Sequence, residues 1–471
     1  MTAAPADTAP ARSDPFTVRF VGPLLLGSTL NPINTSTIAT ALVGIGVDFH
    51  RGPGTTAVLI SVLYLCSAVA QPTMGKLATL FGPRRVFTGG LIILIAAGVI
   101  GAAAPAFGFL VVSRALIGIG ASAAFPTAMA LVRRRADDAG TGVPARVLGN
   151  FSIAAQVTSV VGLPLGGLLA GVFGWRAIFF VNIPLALVAL VATATGVPKD
   201  APRDRDQGSL PAAVDLVGIG LFAGAVIGML RFLSDLRSPL WWLLPVTLGL
   251  VAALVAWELR ARSPLIDVRM LTRNGGLLRT YLRQAVVSLG TYTALYGTSQ
   301  WMEQAAHYSA SQVGLILLPL SAISIVIARL VSNRGWVRVP LTASGAALIA
   351  TGLVMAVITH NSPVIVLIAM SLLFGVAGGA SGFANQAALY VQAPARQVAV
   401  ASGLYRTFAY MGGDLLLQPD HAHLRFGHHR CRAARHRLGD RCPRCPRRAD
   451  DGAGHHDSGP HRPGARAVTQ L

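Results

Sequence analysis

Charge is what this chain has least of. Only 12% of its 471 residues are Asp, Glu, Lys or Arg, about half of the roughly 25% that soluble domains carry. Acid is the scarcer sign, with 19 carboxylates against 39 basic residues, and only Lys76 and Lys199 are lysine. Cysteine is nearly missing too. Cys66 stands alone in an apolar run, and Cys431, Cys442 and Cys445 all lie near the end, so no disulfide framework supports the fold. There is no H-E-x-x-H element, no pair of carboxylates inside an apolar run and no Ser/His/Asp set, which argues against an enzyme and against a resident metal or other cofactor. No G-x-x-x-x-G-K-[ST] phosphate loop is present either, so direct use of ATP would need a partner chain. The first residues lack the basic start and short apolar stretch of a cleaved signal. Residues 1–19 read as a disordered cytoplasmic lead.

Apolar residues are abundant, at 53% of the chain. They fall in runs of about 20, the length of a bilayer-crossing helix. Thirteen such runs can be drawn between residues 20 and 417. Hydrophilic stretches divide them into an all-α integral membrane plan. Residues 20–197 form a six-helix bundle, 198–213 a cytoplasmic linker and 214–257 an inserted transmembrane helix pair. Residues 258–281 are a second linker, and 282–417 a second, incomplete bundle. Net charge is +20. A nucleic-acid surface would gather that charge on one face, whereas here it is scattered through short loops. If the N-terminus lies inside, outer segments hold only Arg51, Arg176, Arg231 and Arg237. Every other basic residue before the tail falls in an inner segment, except Arg114 and Arg406 within spans. This asymmetry supports both the orientation and the parity of the count. The expected location is the inner (plasma) membrane, multi-pass, with the N-terminus cytoplasmic.

Several motifs sit at the junctions. Gly75-Lys76-Leu77-Ala78-Thr79-Leu80-Phe81-Gly82-Pro83-Arg84-Arg85 resembles G-x-L-a-D-r-x-G-r-r, the signature of the major facilitator superfamily. Its glycines suit a tight turn, and its basic residues hold it at the inner face. Thr79 and Leu80 stand where the family has Asp and Arg, so the charged latch of that family is in doubt. Arg114-Ala115-Leu116-Ile117-Gly118-Ile119-Gly120 resembles the family element R-x-x-x-G-x-G. Gly149, Gly162, Gly166 and Gly167 match glycines of the antiporter element of span 5, with Thr158 in place of one glycine and Pro164 one position late. Trp175-Arg176-Ala177-Ile178-Phe179-Phe180-Val181-Asn182-Ile183-Pro184 resembles the junction of spans 5 and 6 in fourteen-span drug:proton antiporters. Asp215, the stretch Glu258 to Arg269, and Gln312 to Pro319 resemble further elements of the same family.

The resemblance implies two six-helix bundles rocking about a central cavity. It implies efflux of drug-like amphipathic small molecules, as in antibiotic resistance, with the proton motive force as the energy source. Partners would be a small-molecule substrate, protons and lipid, on a monomer. It assigns coupling or gating to Arg114, Gly75, Gly82, Arg84, Arg85, Gly162, Pro164, Gly166 and Gly167. Arg114 lies several residues into its span, where a charge is functional by default, the alternative being snorkelling to the outer headgroups. No acid lies mid-membrane in the first six spans. The cavity should therefore be lined by neutral polar groups, with Asn31, Asn34, Gln71, Asn150, Gln156, Asn182, Gln284, Gln300, Asn385 and Gln386 as candidates and Arg406 as a second charge. The alternative for each is a hydrogen bond that joins helices. Neutral or anionic compounds should fit better than permanent cations. An importer of a small metabolite, or an inactive truncated transporter, would carry the same fold.

Residues 418–471 differ in character. They hold 8 of the 11 histidines and no apolar run. Cys442-Pro443-Arg444-Cys445 has a metal-like spacing but no second ligand pair. An odd number of spans would leave this arginine-rich stretch outside, against the positive-inside tendency. A shifted reading frame after Gly413 is the expectation, with an apolar fourteenth span encoded in another frame.

Overall fold

Backbone polar groups find no partner in hydrocarbon, so an apolar run crosses a membrane by bonding to itself as helix. Accordingly, every regular element among the described residues of the computed structural model is helical. Those residues are 14–200, 214–233, 240–292, 297–308, 310–359 and 362–414. All belong to one unit, Met1–Ala422. The Cys442–Cys445 spacing and the tail expected to be out of frame lie outside the described residues.

The first half comprises α1 (Val18–Thr37), α2 (Leu42–Asp48), α3 (Pro53–Phe81), α4 (Pro83–Ala102) and α5 (Phe107–Ser122). It continues with α6 (Ala124–Asp138), α7 (Ala145–Phe173), α8 (Arg176–Phe180) and α9 (Asn182–Gly196). A pair follows, α10 (Leu216–Leu233) and α11 (Leu243–Glu258). The remainder comprises α12 (Val268–Arg273), α13 (Gly275–Tyr292), α14 (Thr298–Gln304), α15 (Ala310–Arg334), α16 (Arg338–Val357), α17 (Val364–Gln392) and α18 (Val398–Asp414). Among the described residues, 7 helices are long and apolar enough to cross a membrane, two of them run through short breaks. The other expected crossings are shorter apolar helices or are broken into pieces.

The breaks have local causes. Span 1 was expected as one run, but α1 gives way to a 3-10 turn at Ile38–Thr40. Just before it, Thr35, Ser36 and Thr37 turn hydroxyls back onto the carbonyls of Asn31, Pro32 and Ile33 at 2.9, 2.8 and 2.9 Å. Such bonds compete with the helix ladder and bend it. The turn after span 2 is also shorter than its motif. Gly75 to Phe81 stay helical, and the chain reverses at Gly82, whose φ is 95°. Proline then opens α4 at its first position, where no amide hydrogen is needed. In the stretch expected as the second linker, Asp267 caps α12 by accepting from the Met270 N–H at 2.9 Å. The helix α13 begins at Gly275, seven residues before the apolar run at 282. Its early turns carry Arg279 and Arg283, which hide it from a hydropathy reading.

Packing joins the halves unevenly. One large core takes in the first half and also Leu389, Tyr390, Val398, Ala401, Leu404 and Tyr405 from the second. A separate small core holds Met302, Val313, Ile316, Leu320, Leu367, Met370 and Phe374. Arg84, Arg146, Arg334 and Arg396 stand at helix ends on one face, here called the basic face. The large core extends from Val147 and Val398 near that face to Leu110 and Trp175 near the opposite one, and the small core lies toward the opposite face.

Candidate functional site

Arg114 is the centre of the first half. It is fully buried, so it does not snorkel. One terminal nitrogen donates to the Asn34 carbonyl at 3.1 Å, and the guanidinium lies 5.6 Å from the centre of the Phe179 ring. Its Nε and its other terminal nitrogen have no hydrogen-bond partner among the described residues. Asn34 and Asn182 face each other as a reciprocal amide pair, the Asn182 Nδ2 donating to the Asn34 Oδ1 at 3.0 Å. Three separate signals thus converge on one spot: the span 4 arginine, the span 1 asparagine, and Phe179 and Asn182 of the junction motif. The pair joins helices rather than lining the cavity. At the start of the same motif, Trp175 donates to Asp48 at 2.7 Å, and Arg176 pairs with that carboxylate at 3.5 Å.

A cavity of about 180 Å³ lies between the halves. The first half contributes Thr35, Ser36, Ser152 and Gln156. The second contributes Gln284, Ser288, Thr291, Ser381, Gln386, Tyr405, Arg406 and Tyr410. Of the candidates, Gln156, Gln284, Gln386 and Arg406 line it directly. Two more stand one bond behind. The Tyr410 hydroxyl donates to the Asn31 Oδ1 at 2.8 Å, and the Asn385 Nδ2 donates to the Gln284 Oε1 at 3.0 Å. Gln71 and Asn150 are not among the lining residues, and the Gln300 side chain lies outside the described residues. Among the described residues no Asp, Glu or His lines the cavity.

Sequence reasoning missed much of the wall. Tyr405 donates to the Gln284 Oε1 at 2.6 Å. Arg283, counted with the inner loops, instead sits on α13 and donates to the Asn385 Oδ1 at 2.6 Å. Tyrosines and serines in apolar runs give no signal that separates a cavity from a packed seam.

Several close approaches between the halves among the described residues lie toward the basic face. A Cβ at Gly75 would lie 2.6 Å from the Ala399 carbonyl oxygen, and one at Gly403 would lie 2.4 Å from the Gln71 carbonyl oxygen. These two helices, α3 and α18, therefore touch backbone to backbone. A Cβ at Gly149 on α7 would lie 2.4 Å from the Ser332 Cβ on α15. Tyr390 on α17 donates to the Met129 carbonyl on α6 at 2.6 Å. The other glycines of the span 5 element face the other way. Gly162 packs on Ser36 and Gly166 on Thr37, at the break in span 1, while a Cβ at Gly167 would meet nothing within 4 Å. Pro164 lies inside α7, which stays one helix through it.

The motif loop is held without the family acid. Thr79 bonds back to its own helix at Lys76. Asp200 takes over, its carboxylate accepting from the Arg84 and Arg85 backbone N–H at 3.2 and 2.8 Å. An acid at a helix N-terminus satisfies free donors and the helix dipole. Lys76 donates to the Ser263 carbonyl, the Ser263 hydroxyl and the Pro264 carbonyl at 3.2, 2.8 and 2.9 Å. Asp215 accepts from the Trp257 Nε1 at 2.8 Å and the Leu265 N–H at 3.0 Å. Asp267 accepts from the Gln397 Nε2 at 3.1 Å. The strap after α11 thus ties α3 of the first half to the start of α18.

Comparison with known proteins agrees with this architecture. The chain is 33% identical over 401 residues to an uncharacterized MFS-type transporter, YwoD, of Bacillus subtilis, covering 84% of this chain and 88% of that one. It is 29% identical over 360 residues to a multidrug resistance protein B homolog of Mycobacterium tuberculosis, covering 73% and 64% of the two chains. The structure of the human organic anion transporter MFSD10 shares the fold, with a TM-score of 0.60 at 16% identity over 86% of this chain and 94% of that one. The family model of the Major Facilitator Superfamily matches residues 24–415. The chain belongs to the Major Facilitator Superfamily, as a multi-pass membrane transport protein.

Proposed function

We propose that the chain exports drug-like amphipathic small molecules across the plasma membrane by alternating access, energised by the proton motive force. The observation that carries this reading is a cavity lined by polar side chains of both halves, with close approaches between the halves among the described residues, at Gly75, Gly149 and Gly403, toward the basic face. With the basic face inside the cell, as charge asymmetry favours, the cavity is shut to the cytoplasm and faces outward. Rocking of the halves about that cavity would alternate its access. Gly75, Gly149 and Gly403 are the close-approach points that such rocking must make and break. The multidrug resistance protein B homolog supports the substrate class.

Arg114 is the residue we assign to coupling. A guanidinium enclosed with a single carbonyl bond costs several kcal/mol, and a charge kept at that cost in a membrane span is functional by default. Arg84, Arg85 and Gly82 are assigned to the inner gate through Asp200.

Everted membrane vesicles test the coupling. A respiration-driven pH gradient is followed with a quenched weak-base dye. Adding a transported drug should dissipate the gradient in vesicles with this chain and not in vesicles with Arg114→Met. Equal dissipation in both would reject proton coupling through Arg114.

A further inference from the structure

The cation in the cavity wall has no anionic partner among the described residues. Arg406 sits half-buried on α18, with its guanidinium carbon 4.2 Å from the centre of the Phe125 ring. That ring holds the planar group in place by cation–π attraction. Its Nε has no hydrogen-bond partner among the described residues. No carboxylate among the described residues is near enough to pair with it. Asp14, Asp48, Asp137 and Asp200 pair with arginines elsewhere. Asp215 and Asp267 are engaged in the basic-face strap. Arg283 stands one residue before the lining Gln284 and bonds to Asn385, so it adds positive rather than negative charge behind that wall.

A guanidinium half-buried in a cavity wall is costly without an anion. Its planar fork matches a carboxylate in two parallel bonds. The rest of the wall suits such a ligand. Gln156 and Ser152 line the same cavity with neutral polar groups, and Val287 and Leu320 add apolar lining. We propose that Arg406 is the anion-recognition residue of this cavity, and that the favoured cargo is amphipathic molecules bearing one acidic group. This deepens the efflux reading by naming its substrate class, and it rests on that reading for its physiological meaning.

The test is equilibrium binding to the purified full chain in lipid nanodiscs. Three fluorescent probes share one apolar body: anthracene-9-carboxylate, its methyl ester, and 9-(aminomethyl)anthracene, which is a cation. The acid should bind about tenfold or more tightly than either other probe, the size expected of a charge-assisted hydrogen bond. Arg406→Gln should cut the acid-over-ester preference by about tenfold, and Arg406→Lys should restore most of it. Arg396→Gln, which removes the same charge from an exposed position just before α18, should leave the preference intact. No binding of the acid, equal binding of the amine, or a preference unchanged in Arg406→Gln would overturn the proposal. The wild-type comparison carries the test even if Arg406→Gln folds poorly. Acid binding that follows Arg406, without export from energised cells, would instead retire the efflux reading and leave the anion site standing. Export of the ester but not the acid would do the reverse.

Discussion

The two halves each place an arginine in the membrane, and they treat it differently. Arg114 is walled into the first half among α1, α5 and α8, fully buried and touched by one carbonyl and one ring. Arg406 faces the cavity from the second half, held by a ring that the first half supplies. The first half packs as a single core. The second splits between that core and a small one of its own. The lesson is a division of labour: a fixed scaffold that stores an uncompensated charge, and a looser wall whose polar side chains meet the cargo. A closed basic face joins them.

The seam between the halves should give the largest effect. Gly403→Leu would drive a side chain into the Gln71 and Pro72 backbone, whose nearest atoms are 2.4 and 2.7 Å from a Cβ. Transport should fall to background while the protein still inserts, because only one of the alternating states is blocked. The control is Gly220→Leu on α10, where a Cβ meets nothing within 4 Å, and where transport should persist. Loss of transport in both would remove the special role of the seam.

Arg114→Met comes next, and it separates stability from function. Relieving a buried charge should raise stability, or leave it unchanged, by up to about 1–4 kcal/mol, while energised transport is lost. Thermal melts of the purified protein against drug export from cells check both. A large drop in melting temperature would show that Arg114 is structural glue.

A smaller effect is expected at the amide pair. Asn34→Ala or Asn182→Ala each strands the facing amide and should cost about 1–3 kcal/mol. The double variant should cost less than the sum of the two, as contacting residues do. Strict additivity in thermal melts would mean that the pair is not coupled. The smallest effect belongs to the second half. Tyr405→Phe removes one donor from Gln284, but Asn385 still satisfies that oxygen at 3.0 Å. The stability cost should be about 0.5–1.5 kcal/mol, and the change should appear in substrate preference. A stability loss as large as that of Asn34→Ala would erase the contrast between the halves.

The fold was legible because hydrocarbon leaves little choice: apolar runs, loop arginines and junction motifs all pointed to one architecture. The site was legible where a residue was costly for its place. Arg114 in an apolar run, and Asn182 inside a specific motif, could be named from the sequence. The walls of the cavity could not. Membrane helices are apolar nearly all round, so periodicity does not show which side of α13 or α18 faces the cavity. Arg283 therefore counts among the inner-segment charges in the sequence, and Tyr405 and Tyr410 carry no signal that marks them as candidates. The role of Asp200 was hidden for another reason. It lies in a linker, and only the reversal at Gly82 brings it to the start of α4. The bend in span 1 was written in Thr35, Ser36 and Thr37, but hydropathy does not register hydroxyls that bond to their own helix.

The most direct test is drug accumulation in a host stripped of its own exporters. Cells carrying this chain, Arg114→Met or an empty vector would be loaded with a labelled neutral amphipathic antibiotic such as chloramphenicol and with an acidic one such as fusidate. Cells with the wild-type chain should hold less of both drugs than the other two lines, with the larger difference for the acid, and a proton ionophore should abolish the difference. Equal accumulation in all three lines, or a difference that survives the ionophore, would contradict efflux driven by the proton motive force through this cavity.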